Sequence, residues 1–301
     1  MKNSNYKEDA AWKEILMRLS QIRESGEVSG QDVELIRASL SSFDERVRGG
    51  AALAAEGCLL EPYILDLLTQ IVETDTNDAI RKAAIHSLKG IIYTGVLENL
   101  ETEEGATTQM DDVEEWDESQ AGSLLEDYQR VKYLLMELLQ DEMEDISVRE
   151  AALSSLSDLG FLPEIRLWIE DFFHSESKSM KIVALQAMGK FPHFWEEPLA
   201  ATIAPETDKD ILMEAISACY SAQSPLLASR IEKILSHPDP DVLGYCLMTL
   251  ANMNLTENLT EILQRFSLHS DSRVQEKAKD AIDLLTRRNF GKFLQDNLGL
   301  K

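Results

Sequence analysis

Apolar and small residues return along this chain with the period of an α-helix, and they do so inside a longer repeat. Seven windows share one pattern: an apolar anchor, then small or apolar residues three, four, five and eight positions on. The clearest runs from Asp145 through Val148, Arg149, Ala151, Ala152 and Leu153 to Leu156. Close copies are anchored at Val47 and Ile80, and weaker ones at Met180, Ile211, Val242 and Val274. Successive anchors are 33, 68, 32, 31, 31 and 32 residues apart, so one interval is doubled. Offsets of three, four and eight share one face of a 3.6-residue helix. Each window therefore predicts an amphipathic helix with a small-residue stripe that lets a neighbouring helix approach closely.

Three positions before the anchors stand Asp44, Asn77, Asp145, Ser177, Asp208, Asp239 and Asp271. All seven are side chains that accept hydrogen bonds from the free amides of a first helical turn, so every copy carries an N-cap. Each capped helix follows another apolar-periodic stretch, and Pro62, Pro163 and Pro225 fall near the starts of three of these, where a missing amide costs little. The predicted unit is a helical hairpin, and no segment shows the sustained period-two alternation of strands. The chain reads as all-α, a right-handed α-solenoid of about seven stacked hairpins with capping helices. The expected organisation is an N-terminal capping helix within 1–30, the first hairpins over 31–97 and an acidic loop over 98–123. Five further hairpins over 124–287 and a C-terminal cap over 288–301 complete it.

The Asp-x-x-Val-Arg-x-x-Ala-x-x-x-Leu second helix, best matched by Asp145, Val148, Arg149, Ala152 and Leu156, resembles the HEAT repeat over residues 31–287. The copies from Ile211 onward lose the Arg. The resemblance implies second helices lining the concave side of a solenoid. One HEAT-like enzyme family, deoxyhypusine hydroxylase, holds a di-iron site with His-Glu dipeptides, and this chain has none. HEAT-like DNA glycosylases need a cationic face for the phosphate backbone. Phycobilin lyases also use HEAT-like solenoids, which keeps a lyase or other small-ligand enzyme as an alternative.

Charge narrows the partners. Asp and Glu number 54 against 29 Lys and Arg, a net charge of −25, which repels nucleic acid and anionic membranes. The first thirty residues scatter charges where a signal peptide needs an apolar run, and no later run approaches membrane-spanning length. Together with three cysteines outside any CxxC pairing, this points to a cytoplasmic protein. Twelve acidic residues and no Lys or Arg lie between Gly90 and Gln129. Within that stretch Trp116, with Met110 and Val113, offers an apolar anchor for a basic groove. A regulatory protein acting through the 98–123 loop is a second alternative.

Candidate chemistry is sparse. The five histidines are scattered without HxxxH or HExxH spacing, and there is no Walker loop, GxGxxG or GxSxG. The acidic loop also lacks calcium-loop spacing, so no catalytic residue, metal or cofactor is expected. The aromatic run 191–195 and the cysteines at 219 and 246 fit core packing.

What remains is the face turned away from the first helices, at offsets two, six and nine from each anchor. There the chain places Lys82, His86 and Lys89, a basic column beside the acidic loop. Further on come Ile182 and Gln186, then Met213, Ser217 and Tyr220, then Gly244 and Met248. An Ile, Met and Tyr stretch on an exposed face suits a peptide or helix. The expectation is a non-enzymatic interaction scaffold that binds another protein through a basic or amphipathic segment.

Overall fold

The computed structural model describes residues 2–61, 63–101 and 118–298, and among them it is all helical. It forms two compact units, Met1–Trp168 and Ile169–Lys301. The first contains α1 (Lys2–Ser25), α2 (Gly30–Leu40), α3 (Glu45–Ala54), α4 (Ile64–Thr74), α5 (Asp78–Leu97), α6 (Glu118–Gln140) and α7 (Ile146–Leu156). Helix α8 (Pro163–His174) crosses the boundary. The second contains α9 (Lys178–Met188), α10 (Glu196–Thr202), α11 (Lys209–Ala218), α12 (Pro225–Lys233), α13 (Pro240–Met253), α14 (Leu259–Phe266) and α15 (Ser272–Leu298). After α1 the helices alternate as seven hairpins in sequence, α2–α3 to α14–α15.

In the first unit α1, α3, α5 and α7 pack side by side, with α2, α4 and α6 behind them. In the second unit α9, α11, α13 and α15 pack side by side in the same way. Helix α1 thus occupies a second-helix position against α3 and covers that end with Leu19 and Ile22. Helices α5 and α7 are direct neighbours, so the doubled interval is an insertion between adjacent repeats. Two boundaries differ from the sequence expectation. Residues 118–123, expected as loop, belong to α6, and α15 runs unbroken to Leu298 where a separate cap was expected from 288.

All seven predicted caps form. Asp44, Asn77, Asp145, Ser177, Asp208, Asp239 and Asp271 each accept from a backbone amide in the next turn. The cap's own amide is held as well: those of Asp44, Asn77, Ser177, Asp239 and Asp271 donate to Ser42, Asp75, Ser175, His237 and His269, respectively. His237 and His269 accept through Nδ1, so two of the five histidines serve as turn-fixing groups.

The buried stripe is shifted from the expected one. Offsets four, seven and, in six copies, five and eight are buried, while offset three is buried only at Ala83. Six of the seven anchors are buried; in the copy at 211 Ile211 is half-exposed and Leu212 is buried beside it. Offset seven is small in every copy: Ala54, Ser87, Ser155, Ala187, Ala218, Thr249 and Ala281. Its three hydroxyls reach the preceding repeat at one place. Ser87, Ser155 and Thr249 donate to the carbonyls of Ala52, Ile85 and Ile216, each at offset five, at 2.5, 3.3 and 3.4 Å. A larger side chain would hold the two helices apart.

The arginine after the anchor serves its own hairpin. Arg48, Arg81 and Arg149 donate to carbonyls at or just after the end of the first helix, those of Ser42, Val72 and Leu139. Gln275 does the same to His269. All four bonds satisfy orphan carbonyls, and the three arginines also place a cation at the negative end of the helix dipole.

Candidate binding surface

On the second unit the positions turned away from the first-helix layer form a continuous face across α9, α11, α13 and α15. Gln186 and Ser217 are exposed, Tyr220 is 42% exposed, and Ile182, Met213 and Met248 are half-buried. Between α11, α13 and α15 this face sinks into a hollow of about 510 Å³ whose walls include Met213, Ser217, Tyr220, Tyr245, Met248 and Lys277. Ile182 and Gln186 stand one helix away and do not line it. Gln186 instead hydrogen-bonds Glu214, whose carboxyl is pushed up by burial, an effect the Gln186 bond opposes.

The depth of the hollow has a local cause. Gly244 sits at offset two, where the neighbouring copies carry Met213 and Glu276. A Cβ there would lie 3.1 Å from Lys277 Cγ, so the bare backbone lets the aliphatic stem of Lys277 lie against α13. The walls are tied from below and from the side. Thr249 bonds across to Ile216 of α11, and Asn252 Nδ2 donates to the Tyr220 carbonyl at 2.6 Å.

Most charges at the rim are already paired, Glu276 standing outside these pairs. Lys209 binds Asp239 and Asp241, both at 2.8 Å, Arg273 binds Asp241 at 3.0 Å and Asp271 at 3.1 Å, and Lys277 binds Asp280 at 3.2 Å. One repeat earlier Lys178 spans Asp208 and Asp210. The Asp208 and Asp239 carboxyls are held below their usual range, first of all by hydrogen bonds from Lys178 and Lys209. A lysine just inside one helix thus bridges to the cap aspartate of the next. The C-terminal half therefore has its own charge ladder despite losing the arginine after the anchor.

The first unit treats its basic column differently. Lys82 donates to Ser147 at 2.8 Å and Lys89 pairs with Asp158 at 3.7 Å, which ties both to the following repeat, while His86 stays exposed. Trp116 lies outside the described residues. At the near edge of the insertion, Glu101 accepts from the nearly buried Lys132 at 2.7 and 2.8 Å and from the Tyr128 hydroxyl at 3.0 Å. Burial pushes the Tyr128 phenol up. Its ring lies so close to Gly95 that a Cβ there would meet it at 2.2 Å.

The cysteines are inert in this setting. Cys58, Cys219 and Cys246 are buried and unpaired, and burial raises their thiols to about 11, 12 and 12. Among the described residues no group of three or more His, Cys, Asp or Glu is placed to hold a metal ion, and no helix is long and apolar enough to cross a membrane.

Tyr245 is the wall residue that sequence reasoning passed over. It stands at offset three, which the repeat pattern assigned to the buried face, yet it is 43% exposed. The signal was in the column itself. Offset three runs Gly50, Ala83, Ala151, Val183, Glu214, Tyr245 and Lys277, and its last members are too large or too polar for a shared core position.

No protein-family model matches the chain, and no curated protein matches it in sequence. Solved structures do. The Escherichia coli protein YibA is similar at 14% identity and a TM-score of 0.50, over 86% of this chain and 83% of that one. Human deoxyhypusine hydroxylase in complex with glycerol aligns at 17% identity and a TM-score of 0.35, over 79% and 89%. A designed armadillo repeat protein in complex with the peptide (KR)4 aligns at 15% and 0.34, over 83% and 98%. At these identities the YibA likeness speaks for a helical-repeat solenoid fold, and the two weaker ones carry no functional weight.

Proposed function

We propose that the protein is a non-enzymatic interaction scaffold that seats an apolar segment of a protein partner in the hollow between α11, α13 and α15. The observation that carries this reading is the composition of the walls. Met213, Tyr220, Tyr245 and Met248 present adaptable apolar surface on a face that a solenoid otherwise fills with polar groups. Apart from Glu276, neighbouring cations and carboxylates neutralise one another, so the free energy of binding comes chiefly from covering apolar area. A segment entering with one Leu, Met or Phe side chain forward, flanked by polar residues, suits such a site.

A photo-crosslinking amino acid at Ser217, in the mouth of the hollow, tests this in the native host. The expected result is one defined protein adduct whose cross-linked peptide carries an apolar residue, lost in the Met213→Glu, Tyr220→Ala double variant at unchanged helicity and melting temperature. The same adduct from a probe at Leu268, exposed and outside the hollow, would contradict the assignment.

A further inference from the structure

The first unit carries a second hollow, of different chemistry. Helix α5 has 20 residues where α3 has 10 and α7 has 11, and its additional turns rise beside the segment that follows α3. Between them lies a space of about 410 Å³ walled by Glu56, Leu59, Leu60, Glu61, Ile91 and Tyr93, among others. Leu60 is 63% exposed and Tyr93 52%, so two large apolar side chains stand open to solvent at one place. Glycine lets the walls meet. A Cβ on Gly90 would lie 2.6 Å from Leu59 Cδ1, so the α5 backbone packs directly on the Leu59 side chain, and Leu59 and Ile91 are buried.

Charge separates this hollow from the one on the second unit. Its only ionised wall residues are Glu56 and Glu61, both exposed and neither in an ion pair among the described residues. The surrounding field has the same sign: residues 1–168 contain 35 Asp and Glu against 15 Lys and Arg, and residues 169–301 contain 19 against 14. The Glu56–Gly57 ridge also borders a smaller hollow of about 320 Å³ lined by Ile22, Val28 and Leu53, with Arg23 at its edge, so apolar surface continues past the carboxylates.

We propose that this hollow docks a basic segment of a protein partner in which a Lys or Arg adjoins an apolar side chain. The apolar group lies on Leu60 and Tyr93, and the cation reaches Glu56 and Glu61. Two unpaired carboxylates beside an apolar floor favour that pairing over an acidic or wholly apolar occupant, and the Tyr93 ring adds a face for a cation. The site is independent of the second-unit hollow and stands if that reading fails.

The test uses the full chain and a fluorescein-labelled peptide, Gly-Lys-Leu-Lys-Leu-Lys-Gly, by fluorescence anisotropy in 0.15 M salt, where long-range attraction is largely screened. The Glu56→Gln, Glu61→Gln variant is expected to weaken binding at least about fivefold and Tyr93→Ala about threefold. Glu137→Gln with Glu142→Gln, an exposed acidic pair elsewhere on the same unit, is expected to change it less than about twofold. A peptide with serine in place of leucine is expected to bind more weakly. Equal weakening by both glutamate pairs, equal binding of the serine peptide, or no effect of the Glu56 and Glu61 changes would each overturn the proposal and leave only general attraction to an acidic protein.

Discussion

Replacing Val148 with aspartate tests the repeat register at its best-defined copy. Val148 is fully buried in α7, beneath the cap formed by Asp145. The substitution forfeits burial of a valine side chain, about 1.5 to 3 kcal/mol, and strands a carboxylate among apolar neighbours, for about another 2 kcal/mol or more after it takes up a proton. A total of about 4 to 5 kcal/mol in a unit of this size lowers its melting temperature by about 8 to 20 °C. Burial raises the new carboxyl above its unfolded pKa, so the folded state binds the extra proton. The penalty is therefore smallest in acid and grows as pH rises through about 4. Ile211→Asp is the internal control, because Ile211 holds the same repeat position but is half-exposed, with Leu212 taking the buried role. Its expected cost is about 1 kcal/mol. Thermal unfolding followed by circular dichroism, at pH 4 and pH 7, reads both variants. A Val148→Asp protein melting within about 2 °C of the parent, or an Ile211→Asp protein melting lower than it, would refute the register.

Arg81 grips Glu144 across adjacent repeats with both side chains largely buried, and its hydrogen bonds hold the Glu144 carboxyl below the usual range. Glu144→Gln should cost about 3 kcal/mol at neutral pH. A depressed carboxyl contributes stability above its unfolded pKa of about 4.5 and loses it as pH falls through the lower folded value, so parent and variant should converge in acid denaturation series. Asn77→Ala removes a cap and should cost about 1 kcal/mol, measured by urea unfolding. The buried thiols should resist a disulfide reagent in the native protein and react on unfolding, Cys58 reporting on the first unit and Cys219 with Cys246 on the second. Rapid native labelling at any of the three would contradict their burial.

The hairpins were legible because one short pattern recurs. Seven anchors and seven cap residues stand at constant separation, and caps depend on local backbone geometry that a sequence carries directly. The stripe was less legible, since offsets three and seven stand one turn apart on the same flank of the helical face, with seven nearer its middle. Only neighbours decide how far round that flank burial extends, and Ser87, Ser155 and Thr249 show that it takes in the seventh offset. Helix ends in acidic or polar sequence were weakly marked, so the start of α6 at Glu118 and the length of α15 went unseen. The basic column was identified as residues but not as partners, because Ser147 and Asp158 lie more than sixty residues from Lys82 and Lys89 in sequence. The hollow on the second unit needed Gly244 and Tyr245 together, and neither resembles a binding residue taken alone.

Methyl resonances of the methionines give the most direct measurement on the second-unit hollow. Met213 and Met248 line it, whereas Met143, 92% exposed, lies on the other unit. With 13C-methyl methionine in the full chain, a synthetic peptide spanning the segment cross-linked from Ser217 is titrated in. The account predicts that the Met213 and Met248 signals shift together and saturate along one binding curve while Met143 stays in place. Saturable binding of that peptide with Met213 and Met248 unmoved would contradict it.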